Sequence, residues 1–277
     1  MSDSATPRPS PAEKGARFRA LHQGPRAFVI ANAWDAGSAR LLAQMGFEAI
    51  ATSSAAAARA LGLEDGQMGR DRSLANARSI VEACDVPVSA DLENGFGEAP
   101  AVAAETIRMA AAAGLAGASI EDAPAGEGVY DLGLAAERIA AAVEAARGLD
   151  APFTLTARCE NFVRGRPDLD DTIERLRAYE RVGADVLFAP GLPTLEAVRE
   201  VCSAVGKPVN FMAGIPGKSF SVAELEAAGV RRVSLAASLH RAAMAALREA
   251  AEEVLGRGTF TYTDRPGATA PTQARAR

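Results

Sequence analysis

Asp91 and Glu93 stand two residues apart at the end of the apolar run VPVSAD, Glu121 and Asp122 close AGASIE, and Arg158 and Glu160 close FTLTAR. Trp34 and Asp35 follow FVIANA, Ser53 and Ser54 follow EAIAT, and Asn210 sits in KPVNFM. An extended backbone aims residues i and i+2 to one side, so the Asp91 and Glu93 carboxylates are expected to converge. Carboxylates meeting in one mouth repel one another unless a cation sits among them. The chain has only two histidines, His22 and His240, and three scattered cysteines, Cys84, Cys159 and Cys202, with no CxxC pair. Any metal would therefore be held mostly by oxygen, which points to Mg2+ or Mn2+. Arg158 is then left to hold an anionic substrate bidentately.

A single acid at a strand end is as readily a helix cap or a surface ion-pair partner. Acids and an arginine at the ends of successive strands are harder to dismiss, and they are expected to form one site. Asp131 and Asp170 open helices and are expected to be caps. His240 is expected to pack at a helix start, and Cys159, alternating away from Arg158, to be core. Trp34 fits either a site wall or barrel packing. The segment 214–219, GIPGKS, resembles the end of a P-loop, but Met212 stands where the leading glycine should be, which argues against nucleotide hydrolysis. That segment follows the seventh apolar run, where barrels often bind anions, so Lys218 is a candidate carboxylate anchor.

These residues are expected to be positioned by a repeating unit. Eight short apolar runs begin at 28, 48, 86, 116, 153, 184, 207 and 231 and alternate with helical stretches such as 38–45, 102–113, 135–146, 171–182 and 195–205. Gly46, Gly114, Gly183 and Gly229 close helices just before the next strand, as left-handed C-terminal glycines do. Eight strands with eight following helices define a (β/α)8 TIM barrel. A doubly wound sheet is the competitor, but the first turn, NAWDAG, lacks its GxGxxG fingerprint. The expected division is a flexible arm over 1–15, one barrel domain over 16–262 and a loose tail over 263–277. The helix near 236–255 is apolar along Leu239, Met244, Leu247 and Val254, which suits burial against a second copy in a homo-oligomer.

Composition narrows the class. With 277 residues, 48% hydrophobic and 23% charged, the chain can build a sizeable core. Thirty basic against 35 acidic residues, net charge −5 and 5% aromatics do not fit a nucleic-acid binder. No apolar run approaches a membrane span, and the start has no apolar signal region. With its unpaired cysteines the chain is expected to be cytoplasmic.

At SARLLAQMGFEAIATSSAA (38–56), VPVSADLENGFG (86–97), AGASIED (116–122), LTARCEN (155–161) and AYERVGADVLF (178–188) the chain resembles the phosphoenolpyruvate mutase/isocitrate lyase superfamily. The resemblance runs from about Phe18 to Phe260. It implies an Mg2+-dependent barrel whose last helix packs on a neighbouring subunit, giving a homodimer or homotetramer. Asp91 then corresponds to the direct metal ligand, and Glu93, Glu121 and Asp65 to acids holding the metal through water. Ser53 and Ser54 match the turn that holds a substrate carboxylate or phosphonate, with Ser54 replacing the usual glycine. Arg158 matches the arginine on the substrate oxygens, and Asn210 a residue near the carboxylate.

The loop after the fourth strand departs from the superfamily. Isocitrate-type lyases carry Lys-x-Cys-Gly-His there, and mutases and phosphonopyruvate hydrolases a Lys-Thr-Asn or similar stretch. Here the loop is IEDAPAGEGVYDLG (120–133), with Glu127 and Tyr130 as its candidate acids. The resemblance implies a carbon–carbon lyase or decarboxylase acting on a small 2-oxo or 2-hydroxy di- or tricarboxylic acid. The alternatives are a phosphonopyruvate-type mutase or hydrolase, or a 2-oxo acid binding protein.

Overall fold

The computed structural model describes residues 8–265. Strands β1 (Phe28–Ala33), β2 (Ile50–Thr52), β3 (Val88–Asp91), β4 (Gly117–Glu121), β5 (Thr154–Arg158), β6 (Val186–Phe188), β7 (Val209–Met212) and β8 (Arg232–Ser234) pair in parallel in chain order. β8 returns to β1, with Val29 opposite Val233, and the barrel is closed. The strands are short and mostly buried, because helices cover their outer faces and side chains fill the interior. The sheet is the (β/α)8 barrel expected.

The helices are α1 (Pro11–Gln23), α2 (Ala36–Gln44), α3 (Ser54–Ala60), α4 (Gly69–Ala83), α5 (Pro100–Ala112), α6 (Leu132–Arg147), α7 (Leu169–Arg181), α8 (Leu195–Ala204), α9 (Val222–Ala227) and α10 (Ser238–Arg257). Many helical contacts are made by alanines, including Ala103, Ala110, Ala135 and Ala142, which let α5 and α6 approach one another closely. Gly46, Gly114, Gly183 and Gly229 have φ of 101°, 88°, 100° and 101°, the left-handed conformation expected of them. None of the helices is long and apolar enough to cross a membrane among the described residues.

The expected arm over 1–15 ends earlier. α1 starts at Pro11, with Ser10 accepting from the Glu13 amide and the Glu13 carboxylate accepting from the Ser10 amide. That capping box, with proline at the first helical position, starts the helix outright. Residues 1–7 and 266–277 lie outside the described residues, and the start of the tail expected over 263–277 is ordered, a 3-10 turn running over Thr261–Asp264. α1 closes the N-terminal end of the barrel. Phe18, fully buried, packs with Phe28, Ile30, Ala49 and Ala116 at the strand starts. Gly117 is required there, since a Cβ would meet the Phe18 ring at 2.8 Å and the Thr154 carbonyl at 2.5 Å.

The two expected caps are corrected. Asp131 precedes α6 but makes no side-chain cap, and Asp168, not Asp170, caps α7 by accepting from the Asp171 amide. Cys159 is buried core, and His240 packs edge-on against Trp34 at 5.2 Å.

Candidate active site

At the C-terminal ends of the strands the barrel opens into a cavity of about 880 Å³, lined among others by Ser53, Ser54, Asp65, Asp91, Glu93, Glu121, Arg158, Glu160 and Asn210. Asp91 ends β3, and its Oδ2 accepts from Ser54 Oγ at 2.9 Å and from the Ser54 amide at 3.3 Å. The Asp91 amide in turn donates to Thr52 Oγ1 at 2.9 Å. Ser53 caps α3 by accepting from the Ala56 amide. The N-terminus of α3 thus faces the Asp91 carboxylate, where its dipole favours a negative charge.

Glu93 reaches the cavity by a different route from the one strand alternation predicts. β3 stops at Asp91, and Glu93 has φ 50°, a left-handed conformation that turns its side chain into the mouth. The following Asn94 is clamped: its Oδ1 accepts from the Phe96 amide, its Nδ2 donates to the Tyr130 hydroxyl at 3.0 Å, and its carbonyl accepts from Arg138. Such a conformation in a non-glycine residue persists only where its surroundings over-determine it. Glu93 Oε1 is buried without a hydrogen-bond partner. Burial, with Asp91 and Asp65 adding repulsion, pushes its pKa up to about 7 against the pull of Arg158.

Arg158 sits at the centre of the acids. Its Nη1 is 3.5 Å from Asp91 Oδ1 and 3.5 Å from Glu121 Oε2, and its Nε donates to Glu160 Oε1 at 2.5 Å. Its guanidinium carbon lies 5.2 Å from the centre of the Phe188 ring. Burial alone would weaken the cation, yet Glu160, Glu121 and Asp91 hold it more firmly protonated than a free arginine. Glu121 is pushed up to about 8, first by burial, then by Glu160 and Asp91, with Arg158 and Arg164 opposing. Arg164, whose Nη2 is 3.6 Å from Glu121 Oε1, also donates to the carbonyls of Pro124 and Gly126, tying the loop after β4 to the site.

Not every expected residue reaches the cavity. Lys218 is exposed on the loop after β7 and does not line it. Glu127 is exposed and outside it. Tyr130 is buried beneath the loop, where its ring receives the Arg138 guanidinium at 4.6 Å and its hydroxyl accepts from Asn94. Asn210 lines the cavity, but its amide is engaged, Oδ1 accepting from Arg232 and Nδ2 donating to Ser234. Asp122 points away from the mouth into a buried cluster, accepting from Arg175, from Tyr179 and from the Glu160 amide. Sequence reasoning missed Arg164, Arg232 and Arg241, all of which line the cavity.

Among the described residues no group of three or more acidic, histidine or cysteine side chains is gathered closely enough to hold a metal ion by itself. The acids instead ring an open mouth, an oxygen donor set of the kind that suits a hard cation keeping several of its waters. Glu93 Oε1, buried without a hydrogen-bond partner, is an oxygen of this ring left free to hold a cation or its water.

A closed barrel with this ring of acids and arginine at its strand ends defines an enzyme of the phosphoenolpyruvate mutase/isocitrate lyase superfamily. The chain belongs to the phosphoenolpyruvate phosphomutase family, which matches residues 18–255. A crystal structure of a protein from Burkholderia cenocepacia J2315 is 53% identical, with a TM-score of 0.90 over 95% of this chain and 94% of that one. The 2-methylisocitrate lyase of Escherichia coli is 32% identical over 206 residues, covering 70% of this chain and 68% of its own length. An oxaloacetate acetylhydrolase solved with its product oxalate is 27% identical, with a TM-score of 0.84, covering 91% of this chain and 90% of that one.

Proposed function

We propose that this chain is an Mg2+-dependent lyase that breaks a carbon–carbon bond in a small 2-oxo or 2-hydroxy di- or tricarboxylic acid through a metal-stabilised enolate. The observation that carries this reading is Arg158 set between Asp91, Glu121 and Glu160, beside the unpartnered Glu93 oxygen. Arg158 offers a substrate carboxylate a cation at the strand ends, and the acids around it outnumber it, which leaves carboxylates for a metal. The 2-methylisocitrate lyase and oxaloacetate acetylhydrolase relatives support the same substrate class.

A bound divalent cation supplies Lewis-acid polarisation of the substrate's 2-oxo oxygen. Asp91 would hold it directly, with Ser54 fixing the carboxylate's orientation, and Glu93, Glu121 and Asp65 would hold it through water. Arg158 binds the adjacent carboxylate, and Glu160 and Glu121 keep its guanidinium in place. The loop after β4 has no cysteine, and its two candidate proton donors, Glu127 and Tyr130, lie outside the cavity. A cleavage whose enolate solvent can protonate asks least of that loop. This favours small 2-oxo diacids such as oxaloacetate over isocitrate.

The reading extends to a homo-oligomer, since α10 leaves Met244, Leu247 and Leu255 exposed on this chain. A monomer by light scattering at micromolar concentration would remove that part. The reaction is tested by an Mg2+-dependent screen of methylisocitrate, isocitrate, oxaloacetate, other 2-oxo and 2-hydroxy diacids and phosphonopyruvate, coupled to pyruvate or glyoxylate detection. Turnover of a diacid is expected. Turnover of phosphonopyruvate alone would make the chain a mutase or hydrolase instead, and tight binding without turnover would make it a binding protein.

A further inference from the structure

Arg232 is a buried cation that the reading above does not use. It shares β8 with Ser234, and both line the cavity, while Val233 between them joins the outer core. The residue is 5% exposed. Two other arginines inside the fold are matched by carboxylates, and Arg138, whose Nε has no partner, by neutral carbonyls and the Tyr130 ring. Arg175 pairs with Asp122 and Asp171, Arg158 with three carboxylates, and Arg138 donates to the carbonyls of Asn94, Gly97 and Glu98.

Arg232 meets only neutral groups. Its Nε donates to Asn210 Oδ1 at 2.9 Å, and its Nη1 donates to Thr156 Oγ1 at 3.1 Å and faces His22 Nε2 at 3.5 Å. Its Nη2 has no protein acceptor among the described residues. Burial lowers its pKa to about 9, which still leaves it charged at neutral pH. A guanidinium kept in a barrel interior without a counter-charge is costly, and such a cost is retained where the group binds something.

Its position says what. Ser89, Ser119 and Thr156 each precede a mouth residue, Asp91, Glu121 and Arg158, by two positions. Alternation puts them on the same inward face one tier deeper, about 6–7 Å down the strand. Ser89 and Ser119 line the cavity with hydroxyls that bond to no protein group among the described residues. Since Arg232 donates to Thr156, its guanidinium belongs to this lower tier, beneath Arg158. The cavity therefore has a mouth of acids and one arginine, and a floor of hydroxyls and another.

We propose that Arg232, with the Ser89 and Ser119 hydroxyls, forms a second anion subsite on the cavity floor that takes the far carboxylate of a diacid whose 2-oxo end lies between Asp91 and Arg158. This rests on the site being one for 2-oxo acids, and it makes Arg232 the group that selects diacids over monoacids. A four- or five-carbon chain bridges the two tiers.

The test is calorimetric titration of 2-oxoglutarate and of pyruvate, with MgCl2, into the wild type, Arg232→Met and Arg232→Lys. A charge-assisted hydrogen bond lost from one end of the ligand should weaken 2-oxoglutarate by about 10- to 100-fold in Arg232→Met and pyruvate by less than about threefold. Arg232→Lys should retain part of the preference. Equal weakening of both acids, or of neither, would overturn the subsite. Arg232→Met removes an uncompensated buried charge but strands Asn210 Oδ1, so it should melt within about 5 °C of the wild type. A melting temperature lower by more than about 5 °C would mark a structural arginine and overturn the proposal.

Malonate, which has no 2-oxo group, separates this proposal from the reading beneath it. Titrated without Mg2+, it should bind the wild type and not Arg232→Met. If Asp91→Ala leaves 2-oxo acid binding unchanged while malonate still needs Arg232, the metal reading fails and the subsite stands. If neither malonate nor 2-oxoglutarate tells Arg232→Met from the wild type, the subsite is refuted whatever the reaction.

Discussion

Ser54 Oγ donates to Asp91 Oδ2 at 2.9 Å, tying the first residue of α3 to the last residue of β3. The bond leaves Asp91 Oδ1 facing Arg158 and fixes the carboxylate's plane. With Asp91 holding the cation as proposed, a partner of this kind is worth about 10- to 100-fold in metal affinity. Ser54→Ala should weaken Mg2+ binding by about tenfold while leaving the fold intact. Calorimetric Mg2+ titration checks this, and an unchanged affinity would separate Ser54 from the metal.

Arg138 holds the left-handed Glu93 turn from below, through the Asn94, Gly97 and Glu98 carbonyls, with its guanidinium on the Tyr130 ring. Arg138→Met strands those carbonyls. A loss of about 3 kcal/mol is expected in urea unfolding, with weaker Mg2+ binding alongside. Lost stability with normal Mg2+ affinity would show that the turn does not depend on this clamp.

The loop acids are tested by Glu127→Gln and Tyr130→Phe. Neither side chain lines the cavity, so both variants should keep their rate within about tenfold, the low end of what a lost general acid costs. Tyr130→Phe should still lose about 1 kcal/mol of stability, through its bond to Asn94. A larger fall in rate for Glu127→Gln would show that the loop brings this acid to the substrate.

His22 makes stability depend on pH. Burial, with the Arg232 cation beside it, lowers its pKa to about 3, and its Nδ1 donates to the Phe18 carbonyl. In the unfolded chain the ring titrates near 6.5, so between these values the unfolded state binds the extra proton. Stability is therefore unpenalised above about pH 6.5 and falls as pH drops from there towards 3, by about 2 kcal/mol at pH 5. His22→Gln should remove that share. Urea unfolding at pH 7 and pH 5 should show a larger loss in the wild type than in the variant, and equal losses would contradict the assignment.

The strands were legible because a buried parallel strand is a short Val- and Ile-rich run between helix-ending glycines. The N-terminal ends of most runs proved one or two residues too early, since residues such as Glu48 and Pro87 approach the barrel without joining it. The mouth residues Asp91, Glu121 and Arg158 were legible for the same reason: strand ends fix them. Glu93 reaches the mouth through a left-handed turn that alternation does not describe. The arm expected over 1–15 overlooks that Ser10, Pro11 and Glu13 spell a helix start. Arg232 carried a visible signal, a charge inside a buried strand two residues before Ser234. Lys218 and Glu127 sit in loops, where spacing alone does not say which way a side chain faces.

The most direct measurement is the initial rate of 2-oxo acid cleavage, with the best substrate from the screen, for the wild type and Asp91→Ala across a range of Mg2+ concentrations. The predicted result is a rate that saturates with Mg2+ in the wild type, vanishes with EDTA, and falls at least about a hundredfold in Asp91→Ala at every Mg2+ concentration. Equal rates with and without EDTA, or an Asp91→Ala variant as fast as the wild type, would contradict the account.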